Sequence, residues 1–447
     1  MTGHPQKASI FLENESYVDW HDETLWWIRE KRDKASGKVQ DWEQLRETAS
    51  KIKEHTLDNL GQYLLDFEKN ATDNGIKIHW AEDAEDHNSI VYDLLKQKKT
   101  NCVVKSKSML TEECGLNNYL EDQGIEVVDT DLGERIVQWL EQTPSHIVLP
   151  AIHLKKKDIG EIFTKKLGIP FLEDADKLTQ IARNHLRDYF LSTPVAITGV
   201  NFAIAESGTF VICTNEGNAD MGVHLADMHI ASMGIEKIIP KTEHLGVFLR
   251  LLARSATGQS ITSYSSHFRK PAKDKEIHLI LVDNGRSDIL HKEKFRNALK
   301  CIRCGACMNT CPVFRKTGGH SYQSTIPGPI GAILSPHYNP MKYGSLPFAS
   351  TLCGSCSAIC PVKIDIDDQL YHWRQELNRK KSTPISISVV AKFLSKSGWF
   401  DLGSKFFTTI HKLMPNVAER ILKPYSHNRK LPEPPEKSFK AWYKENS

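Results

Sequence analysis

Seven of the ten cysteines fall in two short runs whose spacing suits metal-sulfur chemistry. The first is Cys301-Ile-Arg-Cys304-Gly-Ala-Cys307-Met-Asn-Thr-Cys311-Pro312, and the second is Cys353-Gly-Ser-Cys356-Ser-Ala-Ile-Cys360-Pro361. Three thiolates at intervals of three residues can wrap one face of an iron-sulfur cubane, while the cysteine before proline is directed to the other cluster of a pair. Read together on that register, Cys301, Cys304, Cys307 and Cys360 complete one 4Fe-4S site. Counting back from Cys353 by the same interval leads to Ser350, so the second site has only Cys311, Cys353 and Cys356. It is expected to hold either a 3Fe-4S cluster or a 4Fe-4S cluster with a non-cysteine fourth ligand, from Ser350, His337, a water or a partner's group. Structural zinc calls for two separated ligand pairs rather than a triple run ending in Cys-Pro. Disulfides do not fit tight runs in a chain without export signals. Cys102, Cys114 and Cys213 are scattered, and Cys102 and Cys213 read as buried thiols.

The elements around these runs must bring distant segments together. Short apolar strands are expected at 75–80, 101–104, 125–128 and 146–149, with helices over 89–98, 111–123 and 131–142 between them. Strands alternating with helices argue for a parallel sheet covered on both faces. Two apolar segments between 193 and 217 flank a Glu206-Ser207-Gly208 turn. Further strands are expected at 228–232, 236–239 and 277–282, with a helix from 241 and a polar segment over 258–270. Residues 1 to about 70 repeat at helical spacing, and their aromatic stripe, Trp26, Trp27 and Trp42, is expected in the core. After Cys360, helices are expected over 364–377 and 384–414, followed by a basic tail in which Leu431-Pro-Glu-Pro-Pro435 is extended. That tail suits a partner, an anionic membrane surface or packing on its own chain.

The 447 residues are too many for one core. The expected division is a helical segment over 1–70, an α/β domain over 71–285, an α-helical ferredoxin-type domain with two clusters over 286–380, and a C-terminal helical segment and basic tail over 381–447. Composition is that of an ordinary soluble protein, 40% hydrophobic and 25% charged, and a net charge of +3 gives no sign of nucleic-acid binding. No signal peptide or uninterrupted apolar stretch of membrane-spanning length is present, so a cytoplasmic location is expected, with membrane association only through a partner or a surface helix.

No GxGxxG or GxxxxGK[ST] occurs, which removes the common dinucleotide and nucleoside triphosphate fingerprints. Glu206, Thr214, Asn215, Glu216 and Asn218 stand at strand ends, where open parallel sheets bind ligands, but they read first as turn formers. His224 and His229, among Asp220, Asp227 and Met228, read as polar loop or core residues rather than a metal site.

With these residues in place the chain resembles the lactate-utilisation iron-sulfur protein B family over nearly its whole length. The resemblance is carried by Thr198-Gly-Val-Asn-Phe-Ala-Ile-Ala-Glu-Ser-Gly-Thr209, Thr214-Asn-Glu-Gly-Asn218, Ser266-His-Phe-Arg-Lys-Pro271, both cysteine runs and Pro327-Gly-Pro-Ile-Gly331. It implies an electron-transfer subunit of a three-protein system oxidising L-lactate to pyruvate. Its partners would be the other subunits and the proteins that donate and accept electrons. It also implies a first domain similar to the sugar-phosphate isomerase and CoA-transferase group, with the seven cysteines as cluster ligands and no catalytic residue located. The other reading is an α/β ligand-binding protein or enzyme whose clusters regulate or stabilise it.

Overall fold

The computed structural model describes residues 3–379, 385–417, 420, 433 and 435–446. Six strands, β1 (Lys77–Ala81), β2 (Cys102–Lys105), β3 (Glu126–Asp129), β4 (Val195–Gly199), β7 (Met228–Gly234) and β10 (Glu276–Val282), pair in parallel throughout, in the order β1-β10-β7-β4-β2-β3. Their sequences are nearly continuous apolar runs because both faces are covered. On β10, Leu279 and Leu281 face a core that includes Leu60, Leu64 and Phe67 of the helix Leu60–Asp73. Ile280 and Val282 face the opposite core with Val91, Leu95, Leu116 and Leu120. The expected α/β architecture with a parallel sheet is therefore what the chain forms.

A second sheet was not expected. β5 (Phe202–Ile204), β6 (Thr209–Thr214), β8 (Ile238–Ile239) and β9 (Tyr264–Phe268) pair in the order β8-β5-β6-β9. The apolar run after Pro194 is divided at Val200-Asn201, so that β4 joins the large sheet and β5 turns back into a hairpin with β6. β9 lies in the stretch that looked merely polar, because an edge strand needs few apolar residues and backbone pairing to β6 defines it.

Two other expectations fail. His146–Leu149 is a loop, since the His146 ring accepts the backbone N–H groups of Val148 at 3.0 Å and Leu149 at 3.2 Å that a strand would give to a neighbour. Trp26 and Trp27 are exposed, at 43% and 54%, because their helix Glu15–Gly37 buries Val18, Leu25 and Ile28 instead. The two tryptophans lie under cations, Arg315 at 4.6 Å from the Trp26 ring and Lys31 at 3.4 Å from the Trp27 ring.

The chain divides into two compact units, Met1–Glu376 and Leu377–Ser447. The second contains helices Ile385–Leu394, Ser397–Leu413 and Phe439–Asn446, with Val389, Phe400, Phe406 and Trp442 exposed. Leu431, Pro432 and Pro434 of the expected extended segment lie outside the described residues. Among the described residues no helix is long and apolar enough to cross a membrane.

Candidate metal centres and the adjoining cavity

The two cysteine runs repeat one backbone design. In the first, Arg303 and Gly305 have φ of 59° and 75°; in the second, Leu352 and Gly354 have 53° and 75° at the equivalent places. Each left-handed residue reverses the chain tightly enough for successive cysteines to share one concavity, and Gly305 and Gly354 take this conformation without strain. Superposing the repeats in sequence matches Cys304 with Cys353, Cys307 with Cys356, Cys311 with Cys360, and Cys301 with Ser350. The side chains of the last pair are held alike: Arg303 N–H donates to Cys301 Sγ at 3.4 Å, and Leu352 N–H donates to Ser350 Oγ at 3.1 Å.

Cys301, Cys304, Cys307 and Cys360 line one small cavity whose other walls include Ile302, Ile330, Val362 and Ile364. Burial raises the Cys304 thiol, and the neighbouring Cys360 and Cys301 raise it further. Cys311, Cys353 and Cys356 form the other group: burial and then Cys311 push the Cys356 thiol up to about 12, and Cys353 acts on both. Four thiols around an apolar hole and three in a group of their own are a donor set that suits iron-sulfur clusters. His337 lies between the Phe295 and Trp373 rings at 5.0 and 4.6 Å, with Nδ1 accepting from Lys292 Nζ at 3.2 Å and Nε2 buried without a hydrogen-bond partner among the described residues.

The N-terminal helices, to which the sequence assigned only packing, also reach this region. Arg46 on the helix Trp42–Asp58 donates to the Cys360 carbonyl from Nε at 3.0 Å and Nη2 at 2.8 Å, and to Ala358 O at 2.7 Å. Arg32 Nη2 donates to Ile359 O at 3.2 Å. These cations fix the Cys-Pro segment and place positive charge beside the thiols. They are hidden from spacing arguments because a helix carrying Arg on its packed face has the same periodicity as one carrying it outward.

A cavity of about 250 Å³ adjoins the four-cysteine site, and Ile147, Arg303 and Cys304 line both. It opens at the carboxyl ends of the parallel strands, where Ser106 follows β2, Gly199 ends β4 and Gly234 ends β7. Thr214, Asn215, Glu216 and Asn218 line it, with Asn215 Oδ1 accepting the Ser263 N–H at 3.1 Å and Asn218 Nδ2 donating to Thr130 Oγ1 at 3.0 Å as turn and loop residues do; Glu206 instead accepts the Thr242 N–H at 2.6 Å. Arg286 is locked beneath the cavity, giving two hydrogen bonds to Glu113, at 2.9 and 3.1 Å, and one to Glu236 at 2.6 Å. Burial works against the Glu236 carboxylate, yet Arg286 and Lys237 hold its pKa down at about 2. A methyl group at Gly234 would lie 2.2 Å from Glu236 Oε2 and 2.6 Å from Arg286 Nε, so only glycine lets that ion pair close.

Glu112, Asp129 and Glu134 come together as a metal-like acidic group, but a cation from the chain already occupies it. Lys105 Nζ lies 2.7 Å from Asp129, 3.0 Å from Glu112 and 4.0 Å from Glu134. His229 is buried and hydrogen-bonds Thr198 Oγ1 at 2.7 Å, with burial pushing its pKa down to about 3. His224 lies on the helix Asn218–Leu225 rather than in a loop, and its Nδ1 donates to Asp220 O at 2.7 Å. Cys213 lines the large cavity, and Cys114 is buried.

A parallel α/β layer with a ligand-sized cavity at its strand ends, joined to paired cysteine loops, defines a LUD-domain protein carrying a 4Fe-4S dicluster domain: residues 64–290 match the first family and residues 297–364 the second. A lactate utilization protein B of Bacillus cytotoxicus is 42% identical over 432 residues, spanning 92% of this chain and 90% of that one. Another, of Macrococcus caseolyticus, is 42% identical over 435 residues, spanning 93% and 91%. The chain belongs to the lactate utilization protein B family. A crystal structure of a DUF162 family protein from Deinococcus radiodurans is 13% identical with a TM-score of 0.28, covering 50% of this chain and 98% of that one, a likeness too slight to carry an argument.

Proposed function

We propose that this chain is the electron-carrying iron-sulfur subunit of a multi-protein system that oxidises L-lactate to pyruvate. The observation that supports it most is the meeting of Cys360 with Cys301, Cys304 and Cys307 around one apolar cavity, with a second thiol group beside it. In this reading Cys301, Cys304, Cys307 and Cys360 hold one 4Fe-4S cluster, and Cys311, Cys353 and Cys356 hold the other. Each bound cluster accepts and passes one electron at a time. The chain's own residues exclude water with Ile302, Ile330 and Val362, and anchor the Cys-Pro loop through Arg46. The parts would be the helical segment 1–70, the α/β domain 71–285, the cluster domain 286–380 and the tail 381–447.

Oxidising a hydroxy acid removes two electrons, which calls for a partner that handles the pair. Purified alone, the chain is expected to show little lactate-dependent bleaching of its cluster absorption; partner subunits should restore it. A chain ending at about residue 384 should keep its iron but lose that response, because the exposed apolar residues of the second unit are the partner-facing candidates. Robust bleaching by the single chain would defeat the subunit reading.

The repeat geometry at Ser350 gives a further expected result. We infer that Ser350 occupies the fourth corner of the second site, as Cys301 does in the first. Ser350→Ala should convert that centre to a three-iron form seen by electron paramagnetic resonance, and Ser350→Cys should keep four irons with a shifted potential. An unchanged spectrum in both would assign the corner to water or a partner's group.

A further inference from the structure

We propose that the cavity at the carboxyl ends of the parallel strands binds a small carboxylate of the 2-hydroxy or 2-oxo acid class, with its anionic end held by Lys237 and Arg303. The identity of the acid rests on the lactate reading; its charge and its place do not. Arg303 Nη1 and Thr214 Oγ1 are buried without a hydrogen-bond partner, and both residues line this one cavity. Lys237, also in its wall, has no hydrogen-bond or ion-pair partner among the described residues. An unmade buried hydrogen bond costs about 1–3 kcal/mol, more for a charged group, so two such atoms beside an ammonium that donates no hydrogen bond mark where a ligand's acceptors belong.

The nearby carboxylates act on these cations through space, Glu236 most directly, but accept no hydrogen bond from them among the described residues. Glu113 and Glu236 are committed to Arg286. Asp131 pairs with Lys107 at 3.4 Å, and Glu216 is exposed, its Oε2 accepting the Asn215 N–H at 3.2 Å. The fork of a guanidinium beside an ammonium matches the two oxygens of a carboxylate. Thr214 and Asn201 offer groups for an oxygen on the adjacent carbon: Asn201 spends its Oδ1 on Cys213 N–H at 2.8 Å, and its amide N–H₂ has no acceptor among the described residues. Ile147 and Leu252 supply apolar wall for a methyl group. Arg303 and Cys304 belong to this cavity and to the four-cysteine site at once, so a bound acid would lie next to the cluster loop.

The competing role for Lys237 and Arg303 is to offset the negative charge of cluster thiolates, and the experiment separates the two. The full chain, purified without oxygen and with its iron intact, is titrated calorimetrically with L-lactate, pyruvate, propionate and inorganic phosphate. L-Lactate and pyruvate should bind saturably, propionate more weakly for want of the second oxygen, and phosphate not measurably. Lys237→Met should weaken L-lactate roughly tenfold to a hundredfold, the loss expected when a charged donor to a buried anion is removed, with iron content unchanged. Thr214→Val, away from the cysteines, should narrow the gap between lactate and propionate. No saturable acid binding, or unaltered affinity in Lys237→Met together with a shifted cluster potential, would overturn the inference and assign Lys237 to the cluster. Acid binding by a chain whose clusters never exchange electrons with partners would leave this site standing and defeat the electron-carrier reading instead.

Discussion

Cys360→Ala and Cys301→Ala are expected to alter the same paramagnetic signal and leave the other untouched, although the two residues belong to different runs. Both line one cavity with Cys304 and Cys307, whereas Cys311 lies within electrostatic reach of Cys353 and Cys356. Cys311→Ala, ten positions after Cys301, should therefore spoil the opposite signal. Adjacent residues thus report on different centres and distant ones on the same centre, which unfolding or general loss of iron would not imitate. Arg46 sharpens the test, because it binds the Cys360 carbonyl and not its sulfur. Arg46→Gln should shift the potential of the Cys301 and Cys360 centre while retaining its iron. Damage by Cys301→Ala and Cys360→Ala to different signals would mean that each run closes on itself.

The cysteine spacing made the metal chemistry legible because cluster binding is local: loops of fixed length must present sulfur at fixed intervals, and sequence records intervals. The parallel sheet was legible for a related reason, since strands buried on both faces have to be apolar throughout. What spacing does not record is which distant side chain turns inward. Arg46 and Arg32 sit on helices whose apolar pattern is satisfied without them, and Lys237 follows Glu236 in what read as a strand. The cavity-lining Thr214, Asn215, Glu216 and Asn218 were visible as strand-end residues, but a turn former and a ligand-facing group have the same composition. The loop at His146 was misread for a physical reason: Ile147, Val148 and Leu149 are apolar because they face a cavity, and a cavity wall has the hydrophobicity of a strand without its ladder.

Lys105→Met should cost the fold about 3–5 kcal/mol, a large share of the ~5–15 kcal/mol that stabilises a typical domain, and should lower the melting temperature sharply. Lys105 ends β2, is fully buried, and has Asp129 at the end of β3 as its nearest carboxylate, 2.7 Å away. Burial opposes its charge, yet Asp129, Glu112 and Glu134 together raise its pKa well above the usual lysine value. Burial also raises the Glu134 carboxyl above its ordinary value, in spite of Lys105. Methionine keeps the volume and removes the charge, which leaves Asp129 and Glu112 facing each other across an apolar interior. Adding Asp129→Asn to Lys105→Met should recover part of the loss, since the harm comes from the uncompensated carboxylate and not from the missing ammonium itself. A melting temperature unchanged in the single variant, or lowered further in the double one, would show that Lys105 does not neutralise this cluster.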